Sequence, residues 1–217
     1  MVEEGMKERQ GNKKDKYLYL DGTGINAQYT YEEYKVTADW LRANTEHRPL
    51  IAIICGSGLG GLAEILKDQK VFSYSDIPNF PKSTVQGHAG RLVFGTLNGK
   101  SCVCMQGRFH LYEGYPIWQL ACETVSLGSS ARCIVPVTNC AFSSAGMSTV
   151  HEVIVARHCG MRVFGLSLIT NKAVMDYDSK GKANHEEVLQ TGRKRASQLE
   201  KMISSFVERL ERNNNVC

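Results

Sequence analysis

The feature that most constrains the fold is the run I-A-I-I-C-G-S-G-L-G-G at residues 51–61. Its first five residues are apolar and mostly β-branched, which favours a buried strand. The glycines that follow permit a tight turn, and residues 62–66 favour the start of a helix. A strand, a glycine-rich turn and a helix N-terminus together create an anion site, because unpaired N–H groups and the helix dipole face the same point. The run therefore predicts an α/β fold that binds phosphate.

The same run allows a second interpretation as a dinucleotide site. Three glycines match the G-x-G-x-x-G fingerprint, namely Gly56, Gly58 and Gly61. Asp76 lies at a tolerable distance for a ribose ligand. A dinucleotide-binding fold continues into a parallel strand, whereas residues 91–105 predict an antiparallel hairpin with a type I′ turn at Asn98-Gly99. The hairpin argues against a dinucleotide cofactor.

Size and charge exclude several classes of protein. The chain has 217 residues, 42% of them hydrophobic, which suffices for one α/β domain. Its net charge is +4, with Lys and Arg interspersed among acids, so nucleic acid is not an expected partner. No apolar run approaches membrane-spanning length and the N-terminus does not resemble a signal peptide, so we expect no membrane partner and a cytoplasmic location. The eight cysteines contain no C-x-x-C pair, which favours buried thiols over zinc ligands or disulfides.

The pattern along the chain predicts a mobile polar tail over residues 1–24 and a single domain over residues 25–217. Helices are predicted from Thr30 to residue 43, from a Thr149–Glu152 capping box onward, and after an Asn184 cap. A strand is predicted over residues 162–170. Between residues 120 and 146 the local signals conflict, because glycine and serine break any helix and Pro136 interrupts a strand, so poor order is expected there.

Several polar residues are candidates for a site. Arg108, His110 and Tyr112 alternate along a chain expected to be extended, so their side chains would share one face. Arginine binds phosphate in bidentate fashion and histidine donates a further hydrogen bond. Ser148 at a helix start can also bind an anion, and Asn171 can hydrogen-bond a base or a sugar. A solvated strand end, a helix cap and a turn asparagine are the alternative interpretations.

Taken together, these segments resemble the trimeric, low-molecular-mass class of purine nucleoside phosphorylases. The matching motifs are Y-T-Y-E-E-Y, C-G-S-G-L-G-G, I-P-N-F-P, G-H-A-G-R-L-V-F-G, G-R-F-H-L-Y-E-G-Y-P, G-M-S-T-V, V-I-V-A-R-H-C-G, S-L-I-T-N-K, M-D-Y and K-A-N-H-E-E-V-L. The resemblance implies an α/β fold with a mixed central β-sheet flanked by helices. It also implies a cytoplasmic homotrimer of purine salvage that uses phosphate as co-substrate and needs no cofactor or metal. The reaction would cleave the N-glycosidic bond of purine (deoxy)ribonucleosides to free base and pentose 1-phosphate.

The resemblance also implies roles for particular residues. The phosphate ligands would be Ser57, His88, Arg108, His110, Cys140 and Ser148. The nucleoside would contact Tyr112, Met147, Asn171 and His185. Among these, Asn171 would hydrogen-bond the departing purine, His185 would meet the 5′-hydroxyl, and His110 would complete the catalytic set.

The chain departs from this family at one internal position. After Ala141 the family continues through a long segment, whereas here only residues 142–145 precede the G-M-S-T-V motif, which indicates a deletion near residues 141–146. The missing segment should contain the glutamate that binds the purine. Cys140 replaces a small residue whose backbone N–H contacts phosphate, and His151 stands where the family has proline. An inactive splice product or degenerate relative, which binds phosphate or associates with intact subunits, is the alternative hypothesis.

Overall fold

The computed structural model describes residues 31–56, 59–85, 88–116, 119–120, 124, 126, 131–142, 147–172 and 185–210. At positions 112, 138–142, 147–148, 171–172 and 185–189 it describes the backbone only. The predicted tail over residues 1–24, Ser57 and the deletion point at residues 143–146 lie outside the described residues.

The described residues include three α-helices and seven strands. In order they are α1 (Tyr31–Asn44), β1 (Ile51–Cys55), β2 (Lys67–Ser73), β3 (Arg91–Leu97), β4 (Lys100–Gln106), β5 (Cys133–Phe142), α2 (Met147–His158), β6 (Arg162–Val163), β7 (Leu166–Lys172) and α3 (His185–Arg209). Short 3₁₀ helices lie at Gly60–Ile65, Tyr74–Asp76 and Leu111–Glu113. In these ranges no helix is long and apolar enough to cross a lipid bilayer.

The strands form one mixed sheet in the order β2-β3-β4-β1-β5-β6, with β7 also paired to β5. β1 is parallel to β4 and β5, β5 is parallel to β6 and β7, and β3 is antiparallel to β2 and β4. The predicted mixed sheet is therefore confirmed. The hairpin is confirmed as well, since Asn98 and Gly99 have the φ angles of 50° and 77° that its type I′ turn requires.

A hydrophobic core covers each face of the central strand β1, which is buried along its whole length. Because successive residues of a strand point to opposite faces, Ala52 and Ile54 pack beside Leu41 of α1, whereas Ile53 packs beside Ile203 of α3. Burial on both faces explains why β1 is apolar throughout. Four cysteines in the strands are buried thiols, namely Cys55, Cys102, Cys104 and Cys133.

The expected break at Pro136 is wrong, because β5 runs through it without interruption. In β5 the carbonyl of Val137 faces β1 and accepts the Gly56 N–H, whereas the carbonyl of Ile134 faces the other side and accepts the Phe164 N–H. The backbone nitrogen of Pro136 therefore points away from β1, at the position where the partner strand of β5 changes from β6 to β7. A missing N–H breaks no ladder hydrogen bond at that point. This part of the poorly ordered stretch is a central strand.

The glycine loop leads into a six-residue 3₁₀ helix rather than the expected α-helix. Leu66 ends it in an extended conformation, and β2 then pairs antiparallel with β3. Since a short 3₁₀ helix has little dipole, a binding site at this loop depends on side chains from other elements. The predicted strand over residues 162–170 is also divided, into β6 and β7.

Candidate functional site

Arg108 lies at the carboxyl ends of the central parallel strands and is only 2% exposed. Its Nη2 group donates to the carbonyls of Ile54, at 3.4 Å, and Val137, at 3.1 Å. Its Nη1 group donates to the Thr149 hydroxyl at 2.9 Å. One guanidinium therefore joins β1 and β5 to the first turn of α2, directly beside Gly56, whose N–H shares the Val137 carbonyl.

Glu152 is the anionic neighbour of Arg108 and is fully buried. Its Oε1 lies 3.6 Å from Arg108 Nε, and neither carboxyl oxygen has a hydrogen-bond partner among the described residues. Burial raises the pKa of Glu152 to about 7, against the opposing field of Arg108. The predicted capping box is wrong, because α2 begins at Met147 and the Thr149 hydroxyl accepts from Arg108. Near neutral pH this carboxyl exchanges a proton.

His151 precedes Glu152 on α2 and is 5% exposed. Neither ring nitrogen has a hydrogen-bond partner in the described part of the chain. Burial, together with the positive charge of Arg108, lowers the pKa of His151 to about 4. The imidazole is therefore neutral at physiological pH and adds no charge to the site.

His88 and His110 stack on one another beside this cluster, with ring centroids 5.6 Å apart. The Nδ1 of His88 lies 3.2 Å from the Ser83 hydroxyl. Burial, followed by the fields of His88, Arg108 and His151, lowers the pKa of His110 to about 4, although Glu113 acts in the opposite direction. Neutral His110 can donate one hydrogen bond to an anion without adding a second buried charge.

Glu113 holds the two histidine-bearing segments together. Its Oε2 accepts from the His110 backbone N–H at 2.7 Å, and its Oε1 accepts from the backbone N–H and the hydroxyl of Thr84, at 3.0 and 2.5 Å. The loop before β3 is thus tied to the turn after β4.

The structure brings together three of the predicted site residues, His88, Arg108 and His110. Tyr112 lies in the 3₁₀ helix Leu111–Glu113, so the extended chain assumed for the shared face is wrong: β4 ends at Gln106. Ser57 lies outside the described residues. For five others the backbone alone is described: Cys140 in β5, Met147 and Ser148 on α2, Asn171 in β7 and His185 at the start of α3. The backbone of Asn171 pairs with Ala141, next to Cys140. The roles of all these residues stay predictions.

Sequence reasoning missed the contributions of Glu113 and Glu152. Glu113 follows His110 by three residues, which is the spacing of a helix-capping carboxylate. Glu152 follows His151 in the run V-H-E-V-I-V, whose other residues are apolar. A carboxylate in such a run signals a buried charge that needs a partner, because an unpaired one is very costly.

Gly107 permits the close approach of His88 to the end of β4. Its φ is +115°, and an added Cβ would lie 2.6 Å from the Cβ of His88. We expect Gly107→Ala to lower the free energy of unfolding by at least about 2 kcal/mol, since strain and clash act together. Gly114→Ala is the matched control, because Gly114 has φ of +87° but nothing within 4 Å of an added Cβ. Equal losses for the two variants in urea unfolding would contradict the proposed clash.

His151 should make stability depend on pH. The pKa of His151 in the folded chain is about 4, below the usual 6.5. Its contribution to the free energy of unfolding is therefore fully present above pH 6.5 and is lost as the pH falls towards 4. The loss across that range is about 3 kcal/mol. We expect His151→Leu, which cannot take up the proton, to lose correspondingly less stability on acidification. Urea unfolding of both proteins across this pH range measures the difference, and parallel curves would refute it.

The chain is similar to known proteins both in sequence and in fold. Residues 137–208 match the family model described as Phosphorylase superfamily. The purine nucleoside phosphorylase of Bos taurus is 40% identical over 272 residues, covering 81% of this chain and 94% of that protein. The Rattus norvegicus protein is 39% identical, with coverages of 83% and 96%. A Schistosoma mansoni purine nucleoside phosphorylase crystallised with adenosine superimposes with a TM-score of 0.76 at 28% identity, covering 84% of this chain and 99% of that one.

The coverages agree with an internal gap, since a 217-residue chain spans nearly the whole of longer relatives. With identities of up to 40% over most of both sequences and the same fold, this chain belongs to the purine nucleoside phosphorylase family of pentosyltransferases.

Proposed function

We propose that this chain cleaves purine (deoxy)ribonucleosides with inorganic phosphate, releasing the free base and pentose 1-phosphate. The observation that carries the proposal is the cluster at the carboxyl ends of β1 and β4, beside the middle of β5. There Arg108 shares the Val137 carbonyl with the first N–H of the glycine loop, and the stacked pair His88 and His110 lies beside it. Crevices at the carboxyl ends of parallel strands are the usual ligand sites of α/β sheets.

Related structures support purines as the substrate class. Purine nucleoside phosphorylase of Schistosoma mansoni has been crystallised with adenosine and with inosine, and a Schistosoma purine nucleoside phosphorylase has been crystallised with hypoxanthine. By family position, Tyr112 and Met147 would flank the pentose and His185 would meet its 5′-hydroxyl. Asn171 would hydrogen-bond the purine, and that bond would strengthen as the leaving base gains electron density.

The reaction depends more on correct placement of the phosphate nucleophile than on its chemical activation. Phosphate is a weak nucleophile, and the pentose becomes cation-like as the glycosidic bond breaks. A phosphate held beneath the anomeric carbon therefore supplies both orientation and charge stabilisation. Arg108 would provide the fixed positive charge. The remaining phosphate ligands proposed from family position are Ser57, His88, His110, Cys140 and Ser148. The reaction as proposed uses no metal or cofactor.

Phosphate binding can be tested by thermal unfolding. Phosphate at about 100 times its dissociation constant should stabilise the folded chain by about 2.7 kcal/mol. We expect Glu152→Gln to retain this stabilisation and Arg108→Met/Glu152→Gln to lose it, because the two variants differ only in the guanidinium. Equal stabilisation of both would show that the phosphate site lies elsewhere.

The reaction itself is tested with purified chain and inosine, in buffers with and without phosphate. Phosphorolysis requires that hypoxanthine and ribose 1-phosphate appear together and only when phosphate is present. Free ribose would indicate hydrolysis instead. Phosphate binding without any product would favour the inactive relative considered above.

We also propose, from family membership, a cytoplasmic homotrimer that acts in purine salvage. Sedimentation equilibrium of the purified chain tests the assembly, and a monomer would refute it. Fractionation of cells that produce the chain tests the location.

A further inference from the structure

The ion pair between Arg108 and Glu152 is almost completely buried. The two side chains are 2% and 0% exposed, and 3.6 Å separates Nε from Oε1. Three donated hydrogen bonds fix the guanidinium, to Ile54, Val137 and Thr149. The carboxyl, in contrast, has no hydrogen-bond partner among the described residues. Arg108 is thus held by neutral groups, and Glu152 is held by little beyond its attraction to Arg108.

We propose that Glu152 is a positioning residue that exchanges its charge for that of the bound anion: it is the counter-ion of Arg108 in the empty site and takes up a proton when phosphate binds. This inference rests on the proposed function, since it requires that phosphate binds near Arg108. It adds a proton-linked regulation of phosphate affinity to that site.

The single positive charge of the Arg108 guanidinium limits how many negative charges can be balanced at this site. A guanidinium has five N–H donors, and three of those of Arg108 are already used. A phosphate beside it would bring one or two negative charges into a region that already contains the Glu152 carboxylate. Two anions that share one buried cation repel one another, which favours protonation of one of them. Glu152 is the anion that can accept the proton at little cost, because burial has already raised its pKa to about 7.

His151 and His110, whose pKa values the field of Arg108 lowers, do not offer a competing proton near neutral pH. Arginine is not deprotonated in proteins. His151 on the same helix and His110 after β4 both have pKa values of about 4, lowered first by burial. His88 stacks on His110 and lowers its pKa further, whereas Glu113 acts in the opposite direction. β1 and β5 contribute backbone carbonyls to the cluster.

The test measures sulfate affinity by calorimetry, because sulfate, unlike phosphate, does not itself titrate near neutral pH. We expect the affinity of the native chain to be nearly constant below about pH 7 and to fall about tenfold per pH unit above it. In Glu152→Gln the affinity should not fall with pH. The control His151→Leu should keep the fall, because His151 titrates at lower pH.

A merely structural role for Glu152 predicts a different result: Glu152→Gln would lower the affinity at every pH and leave the slope unchanged. That outcome overturns the inference while the proposed function stands. If no variant binds sulfate, the anion site at Arg108 is wrong and both proposals fail. A second measurement needs only the native chain and therefore tests the inference even if Glu152→Gln does not fold. Titrations of the native chain in two buffers of different ionisation enthalpy should reveal uptake of nearly one proton per sulfate at about pH 8, and no uptake would overturn the inference.

Discussion

Turnover of inosine by the purified chain should be about a million-fold slower than the roughly 10 per second typical of enzymes. The side chains of Arg108, His88 and His110, which are proposed to bind phosphate, lie together, but the segment expected to carry the purine-binding glutamate is replaced by residues 142–145. Orientation of the second reactant contributes about 7–11 kcal/mol in ideal cases. A loss of about 8 kcal/mol in transition-state stabilisation gives the stated decrease in rate.

A matched variant separates this slow reaction from contaminating enzyme. Asn171→Ala should reduce the residual rate by a further factor of about 100–1000, because it removes the proposed hydrogen bond to the departing purine. The measurement is hypoxanthine release over days with concentrated protein. A native rate near 10 per second that falls in Asn171→Ala would show that the shortened chain has rebuilt a base pocket. A residual rate that Asn171→Ala does not change would contradict the place assigned to Asn171.

Arg108→Met should lower the free energy of unfolding by about 3–5 kcal/mol at pH 8, the largest stability loss that we expect from a single substitution here. It removes three hydrogen bonds and leaves the Glu152 carboxylate buried without its cation. The loss should be smaller near pH 5. The folded pKa of Glu152 is raised, so its contribution to stability is fully present at low pH and is lost as the pH rises through about 7. Without the field of Arg108 that pKa rises further.

The double variant Arg108→Met/Glu152→Gln is the control for this prediction. It has lost the same hydrogen bonds but buries no charge, so at pH 8 we expect it to be more stable than Arg108→Met alone. Urea unfolding of the native chain, both single variants and the double variant gives the coupling energy between the two residues. If the double variant is no more stable than Arg108→Met at pH 8, the ion pair has no energetic role.

Much of the fold could be predicted from local patterns. The apolar run of β1, the Asn98-Gly99 turn and the apolar stripe of α3 each specify a structure within a few residues. Those signals are reliable because the period of the apolar residues, the turn geometry and the burial all indicate the same structure. Signals that depend on one residue were less reliable. Pro136 does not end β5, since the change of partner strand makes its missing N–H harmless, and Thr149 does not cap α2, since Arg108 donates to its hydroxyl.

The amino-acid sequence is sufficient to predict the family, the mixed sheet and the residue types that can bind phosphate. Motifs of consecutive residues carry this information, because each one fixes a local backbone shape and its side chains together. The charge states of the side chains at the site, in contrast, depend on the fold. Arg108 and Glu152 are 44 positions apart in the sequence, and it is the parallel pairing of β1 with β4 and β5, with α2 packed at their ends, that buries them together. Burial then shifts the pKa values of Glu152, His151 and His110, since the cost of a charge depends on the surrounding medium and not on the residue alone.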